Sequence, residues 1–312
     1  MNYIEVKNIY KQFDSKIVLE NISFDIQKGD IFGFIGPNGA GKTTLIRIMT
    51  GLLDANQGSV IMGGFEVKGE AIKAKRLLGL VPQELAIIEG VSAYDNLEFF
   101  GALYGLRGKN LKGKIGEALE FVGLTDKTKE KVKKFSGGMK RRLNLAAAIM
   151  HEPEILILDE PTVGIDPQSR NHIFDFIKHI NQEKDTTVLY TSHYMEEVEH
   201  LCDNIFIIDE GKEIAYGSKA SVKSMISNNN KVHVQLDNFE PSLLEPIEAL
   251  DAIVNVSTDH EGLHLLVKAE EFKLADLLKV LEQNSAVIKS VSVDEPNLEE
   301  VFLSLTGKKL RD

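Results

Sequence analysis

The chain has 312 residues, 43% hydrophobic and 27% charged, with a formal net charge of −11, which allows one large folded core plus a smaller unit. No apolar run approaches the ~18 residues that a membrane span needs, and the acidic balance argues against broad electrostatic binding of nucleic acid. The single cysteine, Cys202, excludes an intramolecular disulfide. With an N-terminus too mixed in polarity for a secretory signal, it predicts a cytoplasmic protein.

In chain order, "YIEVKNIYKQF" and "KIVLENISFDI" read as strands, and "GDIFGFIG" as a strand entering a glycine turn. "KTTLIRIMTGL" reads as a helix, and "GSVIMGG" and "LLGLVPQ" as strands. From about Ser92 to residue 150 the pattern turns helical. "EILILDEP" has the continuous apolar run of a strand buried on both faces, "RNHIFDFIKHI" and "MEEVEHLC" read as helices around the strand "TTVLYTSH", and "NIFIIDEGKEIAYG" reads as a hairpin. This alternation predicts a mostly parallel sheet with a helical insert. The polar "SNNN" at 227–230 and an acidic tail (16 acidic against 8 basic residues in 231–312) mark a change of domain. We expect one domain over 1–220 and a small α+β domain over 221–312.

Residues 36–44, "GPNGAGKTT", match G-x-x-x-x-G-K-[ST] between a predicted strand and a predicted helix, the context this phosphate-binding loop requires. Its glycines let backbone N–H groups approach phosphate oxygens, Lys42 neutralises them, and the Thr43 hydroxyl suits Mg²⁺. The strand "ILILDE" ends in Asp159 and Glu160, placing one carboxylate near a metal and the next against an attacking water. Gln83 and His193, each at the end of another predicted strand, are candidates for the Mg²⁺ and water and for the γ-phosphate. In "KKFSGGMKRR" at 133–142, Ser136 has the place of a helix N-cap. Gly137 and Gly138 would let that helix terminus meet an anion, the flanking lysines and arginines being mostly a solvated rim.

Taken together, "GPNGAGKT", "VPQE", "FSGGMKRR", "ILILDEP", "GIDP" and "TSH" resemble, in order and spacing, the motifs of ABC transporter ATPase subunits over about residues 3–217. The resemblance implies a P-loop NTPase fold of the α/β class: a RecA-like core, an antiparallel β subdomain and a helical subdomain near 85–150. It implies ATP and Mg²⁺ as ligands. Phe13 would stack on the adenine, and Gly36, Pro37, Asn38, Gly39, Ala40, Gly41, Lys42, Thr43 and Thr44 would hold the triphosphate. Thr43, Gln83 and Asp159 would serve the metal, Glu160 would be the general base, and His193 would orient γ-phosphate and water. Ser136, Gly137 and Gly138 would cover the ATP of a second subunit, with Asp166 linking the two sites. Phe135 in place of the common leucine, and Val163 and Ile165 in "TVGIDP", remove no functional group.

The partners so implied are a second ATPase chain, a homodimer being expected, and an integral membrane permease that alone brings the protein to the inner face of the membrane. The tail "DEPNLEEVFLSLTGKKLRD" resembles that of ATPases serving drug, antibiotic or sodium export, where a small accessory domain could aid dimerisation or regulation. The apolar residues Leu85, Ile87, Ile88, Tyr94, Phe99, Phe100 and Tyr104 either form a groove for a partner helix or fill the helical subdomain's own core. The alternative of a non-transport ABC ATPase acting on ribosomes or nucleic acid fits poorly with one cassette, no heptad run and an acidic balance. A catalytically silent cassette fits poorly with the presence of Lys42, Glu160 and His193.

Overall fold

The computed structural model describes residues 2–225, 229–237, 240–258, 262–294 and 297–306. It divides into two compact units, one built on Met1–Lys219 and one on Ala220–Lys308, and each closes an apolar core of its own. Residues 227 and 228 of "SNNN", and 307–312 of the tail, lie outside the described residues.

The first unit runs through β1 (Asn2–Phe13), β2 (Lys16–Gln27), β3 (Ile31–Ile35), α1 (Lys42–Met49), β4 (Gln57–Met62), β5 (Phe65–Glu66), α2 (Ala71–Arg76) and β6 (Leu78–Val81). Then come α3 (Ala93–Leu103), α4 (Gly108–Phe121), α5 (Gly137–Ala148), β7 (Ile155–Asp159), α6 (Pro167–Lys184), β8 (Thr187–Ser192), α7 (Met195–Leu201), β9 (Asn204–Asp209) and β10 (Lys212–Ser218). A short α8 (Lys219–Ser224) follows at the junction. The sequence reading passes over β5 and α2, which are too brief to show a period.

Two sheets form. One is antiparallel, in the order β2-β1-β4-β5; the other is six-stranded, in the order β10-β9-β3-β8-β7-β6. In the second, β9, β3, β8, β7 and β6 run parallel and only β10 is antiparallel, at the edge. Every residue of β7 and β8 is buried, as expected of strands covered on both faces. The apolar side chains of the antiparallel sheet, among them Ile4, Leu19 and Phe24, pack with those of α1 and the parallel sheet into one core.

Local chemistry sets where the helices begin. α3 starts at a capping box, with the Ser92 hydroxyl accepting from Asp95 N and the Asp95 carboxylate accepting from Ser92 N. α6 starts at Asp166, which caps Ser169 N at 2.9 Å, with Pro167 in the first turn. The consequence for function lies in the parallel sheet. Four neighbouring strands, β3, β8, β7 and β6, deliver their carboxyl ends to one edge, where open α/β sheets bind ligands.

The second unit carries β11 (Asn229–Leu236), α9 (Leu244–Glu248), β12 (Ile253–Thr258), β13 (Leu263–Lys268), α10 (Leu274–Gln283), β14 (Ile288–Asp294) and α11 (Leu298–Thr306). Its antiparallel sheet, in the order β12-β13-β11-β14, packs Val232, Val234, Leu263 and Leu265 against Ile247, Leu277 and Leu281 of α9 and α10. Glu300 on α11 pairs with Lys231 at 2.9 Å, while Glu299 is exposed. No helix among the described residues is long and apolar enough to cross a membrane.

Candidate active site

The turn after β3 carries Gly36 to Gly41 and opens α1. Gly41 occupies the N-cap at φ 111°, a left-handed conformation, and offers no side-chain acceptor to the first turn; a Cβ there would lie 2.8 Å from Leu19 and 2.9 Å from the Val18 carbonyl. Only glycine fits, and the amides of the helix start keep their capacity for an external anion. Asn38, Gly39 and Thr43 are exposed, Thr44 is half-buried, and Gly36, Pro37 and Ala40 are buried. The Lys42 ammonium, itself buried, turns back to donate to the Gly36 carbonyl at 2.6 Å and the Pro37 carbonyl at 3.2 Å, and pairs with Glu160 Oε1 at 3.0 Å.

Glu160 follows β7 in the left-handed region at φ 48°, where a non-glycine residue is strained and must be held by its surroundings. Its amide donates to Thr191 Oγ1 at 3.0 Å, and that hydroxyl donates in turn to Asp159 Oδ1 at 2.9 Å. One threonine at the end of β8 thus fixes both carboxylate residues at the end of β7. Glu160 Oε2 accepts from the Gln83 side-chain amide at 3.2 Å and lies 3.4 Å from His193 Nδ1, a contact without hydrogen-bond alignment. Asp159 Oδ2 accepts from the Thr43 hydroxyl at 3.4 Å. Burial pushes the Asp159 carboxyl above its ordinary range, against the bond from Thr191 and the nearby Lys42 charge.

Lys42, Thr43, Gln83, Asp159, Glu160 and His193 therefore meet at the carboxyl ends of β3, β6, β7 and β8. Thr43, Gln83 and Asp159 offer a hydroxyl, an amide and a carboxylate. Among the described residues no three His, Cys, Asp or Glu side chains form a metal cage. A sparse set of hard oxygen donors fits Mg²⁺, which binds through few protein groups and completes its shell with water and substrate phosphate.

Phe13 stands apart from this cluster, exposed at the end of β1 with the Lys11 ammonium 4.8 Å from its ring centroid. Ser136 caps α5, its hydroxyl accepting from Met139 N at 3.2 Å, and Ser136 and Gly137 are exposed. Gly138 is buried against the next loop: a Cβ there would lie 2.3 Å from Ser169 Oγ. The backbone N–H of Ser169 holds the Asp166 carboxyl below the usual carboxylate range.

The basic run around Ser136 is not the solvated rim expected from sequence. Lys133 and Lys134 are exposed, but Lys140 pairs with Glu89 at 2.5 Å. Arg141 is buried and donates to the carbonyls of Pro82 at 2.9 Å and Gln83 at 2.8 Å, and Arg142 donates to the Val122 carbonyl at 2.7 Å. These carbonyls are distant in sequence, so no local pattern announces them. The helical segment fills its interior with Ala93, Leu97, Leu111, Ile115, Ala118 and Leu119. Leu85, Ile88, Phe99 and Tyr104 stay exposed, while Ile87, Tyr94 and Phe100 are half-buried.

Residues 19–163 match the ABC transporter family. The chain is 44% identical over 311 residues to the linearmycin resistance ATP-binding protein LnrL of Bacillus subtilis, covering 99% of this chain and all of that one. It is 35% identical over 310 residues to the daunorubicin resistance ATP-binding protein DrrA3 of Streptomyces coeruleorubidus, covering 99% and 97%. Among solved structures, cbiO1 of Clostridium perfringens, part of the ABC transporter complex cbiONQ, superposes with a TM-score of 0.65 at 26% identity, over 71% of this chain and 90% of that one. Sequence, topology and site together make the chain a member of the ABC transporter family, an ATP-binding, ATP-hydrolysing subunit with the P-loop cassette fold.

Proposed function

We propose that this subunit energises export of a drug- or antibiotic-like compound, working as a pair of identical chains whose two ATP sites are each built from both. Subunits of this family work with membrane permeases; the exposed apolar face of Leu85, Ile88, Phe99 and Tyr104 suits such a contact and would hold the chain at the cytoplasmic side of the membrane. The export reading rests on full-length likeness to resistance proteins. One observation carries the catalytic reading: a single buried carboxylate, Glu160, lies within 3.4 Å of Lys42, Gln83 and His193.

Lys42 and the amides at the start of α1 bind the β- and γ-phosphates, drawing the lysine off Glu160. Glu160 is then free to accept a proton from water, and His193 orients that water against the phosphate. Phe13 stacks on the adenine. Mg²⁺, held through Thr43, Gln83 and the water shell on Asp159, would neutralise phosphate charge. Ser136 and Gly137 are exposed at the start of α5, which suits phosphate on a partner chain, with Gly138 buried against Ser169 just behind them, and Asp166 on the adjoining cap would link the two sites. The second unit, about 221–312, serves as an accessory domain for dimerisation or coupling.

The test is the order of the reaction. If both sites are shared, hydrolysis per chain rises with chain concentration, and sedimentation shows ATP converting monomer to dimer. Ser136→Arg abolishes both while leaving the ATP affinity of a single chain within about twofold. A rate per chain independent of concentration in a strictly monomeric protein would refute the shared site.

A further inference from the structure

Glu197, in the first turn of α7, is a charged residue only 3% exposed that none of the roles above employs. Its Oε2 accepts three hydroxyl bonds, each of 2.8 Å, from Thr162, Tyr190 and Ser192. Its Oε1 faces Arg170 of α6 at 3.9 Å. The hydroxyls of Thr162 and Tyr190 also approach one another at 3.2 Å, and the Ser192 oxygen accepts from Tyr194 N at 2.9 Å.

A carboxylate is costly to bury unless its lone pairs are filled, and an apolar side chain would fill the same space more cheaply. What distinguishes this knot is the set of segments it ties. Thr162 lies in the turn between Glu160 and Asp166. Ser192 directly precedes His193. Arg170 lies in α6, just beyond its Asp166 cap, and its amide donates to the Asp166 carbonyl at 2.9 Å. One carboxylate therefore grips the loop after Glu160, the turn that bears His193, and, more loosely through Arg170, the helix that Asp166 caps. Tyr190 differs from the others: it sits in the body of β8, in register with Gly33 and Leu158 of the neighbouring strands.

We propose that Glu197 is a positioning residue for hydrolysis, locking the Glu160 turn to the His193 turn through Thr162 and Ser192 so that the base and the histidine keep their mutual distance. The inference rests on the catalytic reading of Glu160 and His193 given above. A filled network of this kind is stiff, and removing one donor loosens one segment at a time.

The experiment uses the full chain, with its permease if the isolated chain turns over too slowly, and measures kcat, KM for ATP and Tm. Thr162→Val and Ser192→Ala each lower kcat about five- to twentyfold with KM within about twofold. Tyr190→Phe lowers Tm but leaves kcat within about twofold. Glu197→Gln lowers kcat at least as far as either loop variant, and adding Ser192→Ala to it costs less than about twofold more. Losses in kcat that simply follow Tm across all four variants, unchanged kcat in Thr162→Val and Ser192→Ala, or full additivity in the double variant would each overturn the proposal. Glu160→Gln, run alongside, separates the two readings. Normal hydrolysis there removes the base assignment, whereas a dead Glu160→Gln with an active Ser192→Ala removes only the role of Glu197.

Discussion

Glu160→Gln should strengthen nucleotide binding while it stops hydrolysis, and the pairing of Lys42 explains why. The ammonium and the carboxylate lie 3.0 Å apart with side chains 5% and 6% exposed. At an effective dielectric near 20 their attraction is about 5.5 kcal/mol, most of which is offset by the cost of removing both charges from water. If about a quarter survives, the lysine gives up roughly 1.4 kcal/mol when phosphate replaces Glu160, close to tenfold in affinity. Glutamine has the same shape, keeps a carbonyl towards Gln83 and removes the competing anion. Kd should therefore fall about tenfold. The rate should drop at least 100-fold, because a positioned general base typically contributes about 10² to 10⁴. Calorimetric titration with ADP, at chain concentrations where the protein is monomeric, isolates the lysine from any trapping of dimers; phosphate release measures the rate. Weaker ADP binding in the variant, or a rate above a tenth of wild type, would refute the reasoning.

Three further outcomes are expected. Asp159→Asn should raise Tm at neutral pH while lowering Mg²⁺-dependent hydrolysis: burial raises the Asp159 pKa from its ordinary 3.8, so the stability contributed by the protonated form is present below that pH and lost as pH rises through the folded value. The variant's stability advantage over wild type should accordingly shrink in acid, and an advantage that does not change with pH would count against the assignment. Phe13→Ala should weaken ATP and GTP binding alike, about two- to tenfold, without changing kcat; a loss confined to ATP would point to a base-specific contact elsewhere. Truncation after Lys219 should leave a cooperatively folded cassette, since the two cores share no residue, with dimerisation or coupling altered; circular dichroism showing an unfolded product would place the boundary elsewhere.

The phosphate loop, the paired carboxylates after a doubly buried strand and the Ser136 cap were legible in the sequence, because each depends on residues close together in the chain. Arg141 was misread for the opposite reason. In a basic decapeptide it has the pattern of a solvated side chain, and only the tertiary fold supplies the carbonyls that bury it. Thr191 and Glu197 were missed similarly: a hydroxyl at a strand end and a glutamate in a polar helix have many bland uses, although "TSH" already bracketed the first. The left-handed backbone of Glu160 gave no warning at all, since a run of apolar residues followed by acid says nothing about φ.

The bonds from Arg141 have a further consequence. One planar guanidinium clasps the backbone of Pro82 and Gln83 from the second turn of the helix that Ser136 begins. The Gln83 side chain reaches Glu160, and the residues just beyond it, Leu85 to Ile88, include apolar side chains open to solvent. A displacement of that turn cannot leave α5 behind without breaking both bonds. On the proposed reading, the carboxylate that acts in a chain's own site and the helix end that meets a neighbour are tied to one another through Arg141 and Gln83, next to the apolar side chains a permease would grip.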